Sequence, residues 1–127
     1  MQKKSKKKSK SVIILSDDVV AIRLSKKERR ETLRSLGRAL KTLNGGKNWI
    51  QSVENDGNGS YCMLGAIRHV DGVGENGAIQ VLSAVLGGDG GLDYYAEDPI
   101  IDFNDSEGRR FRDVKQKFEE AIALVRD

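Results

Sequence analysis

The stretch "SKKERRETLRSLGRALKTLNGG", from Ser25 to Gly46, constrains the fold of this chain more than any other. Ser25 and Glu28 form a capping-box pattern, in which each side chain satisfies a backbone amide left unpaired at a helix start. Leu33, Leu36, Leu40 and Leu43 then recur at i, i+3, i+7 and i+10, which places them on one helical face. Asn44-Gly45-Gly46 supplies the stop. The spacing predicts an amphipathic helix whose leucine face must be buried. Its opposite face carries Arg30, Arg34, Arg38 and Lys41, which reads either as a solvated helix face or as a phosphate-gripping stripe.

Around this helix the other elements are shorter. "SVIILSDDVVAIRLS" holds two β-branched runs, Val12 to Leu15 and Val19 to Leu24, separated by Ser16-Asp17-Asp18, and predicts a β-hairpin. Two strands alone are marginal in water, so the hairpin must pack on a helix or gain a third strand. "KNWIQSVEN", with Trp49 as its apolar anchor, is the candidate third strand. The turn-rich "NDGNGS" leads into a second helix beginning near Ser60 or Tyr61. A third helix is expected from about Glu75 to Leu86, with Ile79, Leu82, Val85 and Leu86 inward. "GGDGGLDYYAEDP" reads as an acidic loop and "IIDFNDSEGRR" as an extended or turning segment. A last helix covers roughly Phe111 to Val125, where Val114, Phe118, Ala121, Ile122 and Val125 share a face. The fold class is α+β, mainly α. About four helices pack in one domain over residues 11–127, with a short N-terminal hairpin.

Charge is unevenly distributed along the chain. Residues 1–43 hold 14 Lys or Arg against 4 acids, a balance of +10. Residues 44–107 hold only Lys47 and Arg68 against 11 acids, a balance of −9, and the remainder is +2. Residues 1–10 carry Lys3, Lys4, Lys6, Lys7, Lys8 and Lys10 with no apolar period, the pattern of a disordered basic tail that attracts polyanions. A solubilising leader is the plainer alternative. One cysteine among 127 residues cannot form an internal disulfide. No apolar run approaches the ~18 residues of a membrane span. "VIIL" is also too short for the apolar region of a secretory signal. The expected location is cytoplasmic.

"GSYCMLGAIRHV" contains the chain's lone cysteine and lone histidine, Cys62 and His69. In a helix, seven positions separate their Cα atoms by ~10.5 Å at ~1.5 Å rise per residue. A nucleophile and its base must approach to roughly 2.6–3.2 Å, so this spacing excludes a Cys–His dyad within the segment. It equally excludes a two-ligand metal chelate, and no second histidine exists to complete a zinc site. Neighbours Met63, Leu64, Ala66 and Ile67 favour Cys62 as a buried packing residue, and Gly65-Ala66 suits a close helix–helix approach. Phosphate-loop and dinucleotide-binding glycine patterns are missing, and the glycines of "GGDGG" sit among acids. The acidic stretch 88–98 reads as a solvated loop in preference to a calcium site. Neither a cofactor nor a resident metal is expected.

Together, "NW", "YCMLGAI" and "IIDFNDSEGRRFRDVKQKFEEAIALV" are similar to the DUF6197 type of small uncharacterised proteins from bacteria and their phages. The resemblance covers roughly residues 31–125 and leaves the hairpin and lysine tail outside. It implies a helix leading to a tryptophan, a C-x-x-GA helix, and an aromatic-Asn-Asp turn before a closing helix. Phe103 stands where the pattern prefers tryptophan. The residues it singles out are Trp49, Cys62, Gly65, Ala66, Phe103, Asn104 and Asp105, each with a structural explanation in core anchoring, close packing or turn chemistry.

The leading functional expectation is a non-enzymatic accessory or interaction protein that binds a macromolecular partner, protein or nucleic acid. One alternative is a nucleic-acid-binding module using the lysine tail and the Arg30/Arg34/Arg38 stripe. Another is a small hydrolase or transferase built on Cys62 or on Asp105 as general acid/base. Oligomeric state is open, since an uncovered strand edge can pair with a second copy.

Overall fold

The computed structural model describes residues 11–15, 20–70, 72–88 and 96–126. The lysines of residues 3–10, the Ser16-Asp17-Asp18 turn and most of the acidic 88–98 stretch lie outside the described residues. Strands β1 (Ser11–Leu15) and β2 (Val20–Leu24) pair antiparallel, with Ile13 opposite Ile22 and Ser11 opposite Leu24. Helix α1 (Lys26–Thr42) begins with the full capping box: Ser25 Oγ accepts from the Glu28 amide at 3.1 Å, and Glu28 accepts from the Ser25 amide at 2.7 Å. It ends at a short 3-10 turn over Asn44–Gly46, where φ is positive at all three residues. Helices α2 (Met63–Val70), α3 (Glu75–Val85), α4 (Asp98–Asp105) and α5 (Phe111–Arg126) follow. The mainly α architecture with a small β element is the one the sequence predicts.

Helix α1 is the hub of the packing, contacting α2, α3 and α5. Leu36, Ala39 and Leu43 are fully enclosed, whereas Leu33 and Leu40 only flank the core. The buried stripe is rotated toward Thr32 and Ser35 because α3 approaches α1 there. At Gly77 of α3, a Cβ would overlap the Thr32 hydroxyl, so a glycine is required for the two backbones to come this close. Helix α3 is buried over most of its circumference, between α1, α2, α4, α5 and β2. The hairpin is held by helices, with Ile22 and Leu24 buried where β2 meets α3 and α1. At the far end, Val114, Phe118, Ala121 and Val125 bury one face of α5. Arg29 of α1 donates its Nε to the Val125 carbonyl at 2.9 Å, satisfying an acceptor that the helix end leaves unpaired.

Two segments depart from expectation. The predicted third strand does not form: the chain around Trp49 makes only isolated bridges, Trp49 with Tyr61 and Asn55 with Tyr61. Ser52 adopts φ 79°, a left-handed conformation that an extended strand does not accommodate. Residues 98–105, which span the end of the expected acidic loop and the first part of the expected extended or turning segment, instead form α4. Its first turn holds Asp98 and Pro99, and proline is well tolerated where its missing N–H would be unpaired in any case. Helix α2 starts at Met63, two to three residues later than predicted.

Gly77→Ala is expected to destabilise the fold by about 1–3 kcal/mol through overpacking. Adding Thr32→Ala should recover part of that loss, as read from urea denaturation midpoints. Equal stability of Gly77→Ala and the parent protein would contradict the close approach.

Candidate functional site

Two of the residues singled out by the resemblance, Trp49 and Asp105, hydrogen-bond to the side chain of a third, Asn104, which has no exposed surface. Its Oδ1 accepts from the Trp49 indole Nε1 at 2.7 Å and from the Met63 amide at 2.9 Å. Its Nδ2 donates to the Ile50 carbonyl at 3.1 Å and to Asp105 Oδ1 at 2.9 Å. Both acceptor positions and both donors of the carboxamide are therefore used. Asp105 also accepts from the Ser52 amide at 2.9 Å, and Gln51 donates to the carbonyls of Asn104 and Ser106. Trp49 leans on Phe111 with ring centroids 6.0 Å apart. Phe103 lies under the Arg109 guanidinium, 3.6 Å from its ring centre. Gly65 has no room for a side chain, because a Cβ would overlap the Glu54 carbonyl oxygen. The close approach at Gly65 is thus to the loop preceding α2 and not to a second helix, whereas Ala66 is enclosed in the core.

Cys62 sits immediately before α2 and is 7% exposed. Its carbonyl accepts from the Ala66 amide, and its Sγ accepts from the Gly65 amide at 3.3 Å, the arrangement of an N-capping side chain. Burial pushes the thiol pKa up, only partly opposed by the Gly65 and Leu64 amides, and the charges of Glu54 and Asp105 push it further up. The neutral thiol is favoured and the thiolate needed for catalysis is disfavoured. His69 is exposed on the last turn of α2 and is engaged elsewhere: its Nδ1 lies 3.0 Å from the Tyr61 hydroxyl, and the two rings stack at 4.5 Å. Among the described residues no group of three or more His, Cys, Asp or Glu is placed to hold a metal ion.

The other constellation is electrostatic. The exposed residues of α1 are Lys26, Lys27, Arg30, Arg34, Gly37, Arg38 and Lys41. Apart from Gly37, every one is basic. The two acids of the helix do not dilute this face: Glu28 is tied into the capping box, and Glu31 is half-buried on the flank where α3 approaches. From Lys26 to Lys41 the cationic face runs ~22 Å at ~1.5 Å rise per residue. Ser11 pairs with Leu24, just before the start of this helix. The acidic middle of the chain is organised differently. Arg68 draws together Glu54 at 3.0 Å, Glu75 at 3.7 Å and Glu97, which consumes one of the two cations between residues 44 and 107. Exposed Asp98, Asp102 and Asp105 lie on α4, which packs on α2 and α3.

The sequence pointed to Arg30, Arg34, Arg38 and the motif residues but not to Arg68, Gln51 or the Tyr61–His69 pair. Their partners are fixed only by the folded chain, 7 to 55 positions away for Arg68 and Gln51. The helical period did place Arg68 and His69 on α2, but it could not say what faced them.

Fold and site together define a small mainly α domain with one cationic helix face and a buried polar knot. The chain belongs to DUF6197, a family of unknown function, and matches its sequence model over residues 27–124. No curated protein and no solved structure matches the chain.

Two measurements check this geometry. Asn104→Ala leaves the Trp49 N–H and the Met63 amide unpaired in the interior and is expected to cost about 2–4 kcal/mol in chemical denaturation. Cys62, protonated at neutral pH, should react with a thiol reagent far more slowly in the folded protein than in urea. Because its folded pKa is raised, folded stability should be retained at neutral pH. It should fall as pH climbs past the unfolded thiol value of about 8.5, an effect that Cys62→Ala removes.

Proposed function

We propose that this is a non-enzymatic binding protein that docks nucleic acid on the outer face of α1, in the cytoplasm of a bacterium or a cell infected by its phage. The supporting observation is that all exposed α1 residues except Gly37 are lysine or arginine. A solvated helix on a soluble protein usually exposes charges of both signs, whereas every charged residue classed as exposed on this helix is a cation. Along ~22 Å, one strand of B-form DNA passes about six phosphates at ~3.4 Å each, enough for Arg30, Arg34, Arg38 and Lys41 to find separate partners. Lys3, Lys4, Lys6, Lys7, Lys8 and Lys10 bring six further positive charges in the sequence that a polyanion would attract. The enzymatic alternatives have less support, because the Cys62 thiol is buried and held neutral and the Asp105 carboxylate is engaged by the Ser52 amide and Asn104.

Anisotropy of labelled oligonucleotides across a salt series tests this reading. The parent protein should bind, with log K falling linearly against log salt. The triple substitution Arg30→Gln, Arg34→Gln, Arg38→Gln should weaken binding by about tenfold or more at ~0.1 M salt. It should also flatten the slope by roughly 2–3, at ~0.7–0.9 per phosphate contact. All three residues are exposed, so the circular dichroism spectrum should not change. A parent protein that binds no nucleic acid at low salt, or a triple variant with an unchanged slope, would refute the proposal. A separate deletion of residues 2–10 measures the contribution of the lysine segment.

A further inference from the structure

The basic face of α1 does not end in empty surface. At the C-terminal end of α1, Arg38, Lys41 and Thr42 border a shallow recess whose fourth lining residue is His69 of α2. His69 also lines a second cleft of about 360 Å3, together with Glu54, Asn55, Tyr61, Gly65 and Arg68. The two depressions lie on either side of one shared imidazole. Within the second cleft, the Tyr61 and His69 rings stack at 4.5 Å with 25° between their planes, and the Tyr61 hydroxyl is hydrogen-bonded to Nδ1. That bond fixes two aromatic rings as a preformed platform at the cleft wall. Gly57, Gly59 and Gly65 contribute no side chains to fill the space. The cleft is also not a phosphate trap, since Arg68 is outweighed by Glu54, Glu75 and Glu97, one cation against three carboxylates.

A row of cations leading to an aromatic ledge in a cleft whose own guanidinium is already paired with carboxylates suits a nucleotide whose phosphate is held on α1 and whose base is held separately. Bases in a duplex are stacked on each other and cannot reach such a ledge, whereas bases of a single strand can be turned outward onto aromatic rings. The volume falls at the lower end of the ~300–1,000 Å3 range of small-ligand sites, which suits one base and its sugar. We infer that the protein takes its nucleic acid as a single strand, with phosphates along α1 and one unstacked base lodged against the Tyr61–His69 pair. This inference rests on the nucleic-acid reading of α1. Stacking has no need of a particular base, so the expected preference is for single-strandedness over sequence.

The test compares a labelled oligothymidylate of about 12 nucleotides with a duplex of equal length, bound by the full chain in one buffer. The single strand should bind about tenfold or more tightly than the duplex. His69→Ala and Tyr61→Ala should each weaken the single strand roughly five- to tenfold, leaving duplex binding and the salt slope unchanged, and Tyr61→Phe should retain most of the affinity. Tyr61 is partly buried, so if Tyr61→Ala fails to fold, the exposed His69→Ala carries the test. Equal affinity for single strand and duplex, or full single-strand affinity in His69→Ala, would overturn the inference. The α1 reading would survive that result if the triple arginine variant still weakened both ligands. If the parent protein bound neither ligand, both would fall.

Discussion

The Asn104 carboxamide is where three separate stretches of chain meet: the loop carrying Trp49 and Ile50, the first amide of α2, and the end of α4. None of these is self-sufficient. The loop has no strand pairing beyond isolated bridges, and α2 and α4 are eight residues each, too short to be stable alone. A fully enclosed amide with every donor and acceptor satisfied converts them into one unit, because any displacement leaves a polar group buried without a partner. Cys62, capping α2, and Gly65, packed against the Glu54 carbonyl, lie at the edge of the same unit. The Tyr61–His69 platform inherits its position from it, since Tyr61 lies between the Asn48 and Ile50 backbone bonds that run into the same loop.

The proposed binding surface and the packing surface of α1 lie on two different faces of the helix. The interior side of α1 provides the packing surface for three other helices, and its outer side carries only cations and a glycine. Substitutions on the outer side can change charge without touching the core, which makes that face separable by experiment from the fold that presents it.

Much of this was legible in the residue order, for definite reasons. The capping box at Ser25 and Glu28, the stop at Asn44 to Gly46 and the apolar period of α5 are local signals, so α1 and α5 appear where the sequence places them. The segment at Trp49 was misread because Trp, Ile and Val suggest a strand, while its shape is dictated by Asn104, 55 positions away from the tryptophan. Helix α4 is hidden in the sequence because its first two residues end an acidic, glycine-rich stretch, although a proline in a first turn is a starting signal. The basic stripe was visible as a period. What periodicity could not show was that the acids of the same helix are withdrawn from it.

The pairing of Ser11 with Leu24 and the bond from Arg29 to the Val125 carbonyl bring the entry and exit of the described fold to the same end of α1. A neighbouring polypeptide appended on either side of the unit would emerge at one corner, next to Lys26 and Lys27. Lys41, in the last turn of α1, and the Tyr61–His69 pair near it lie toward the far end of the helix, so a neighbour attached at that corner would meet the cationic face at its Lys26 end and leave its Lys41 end open.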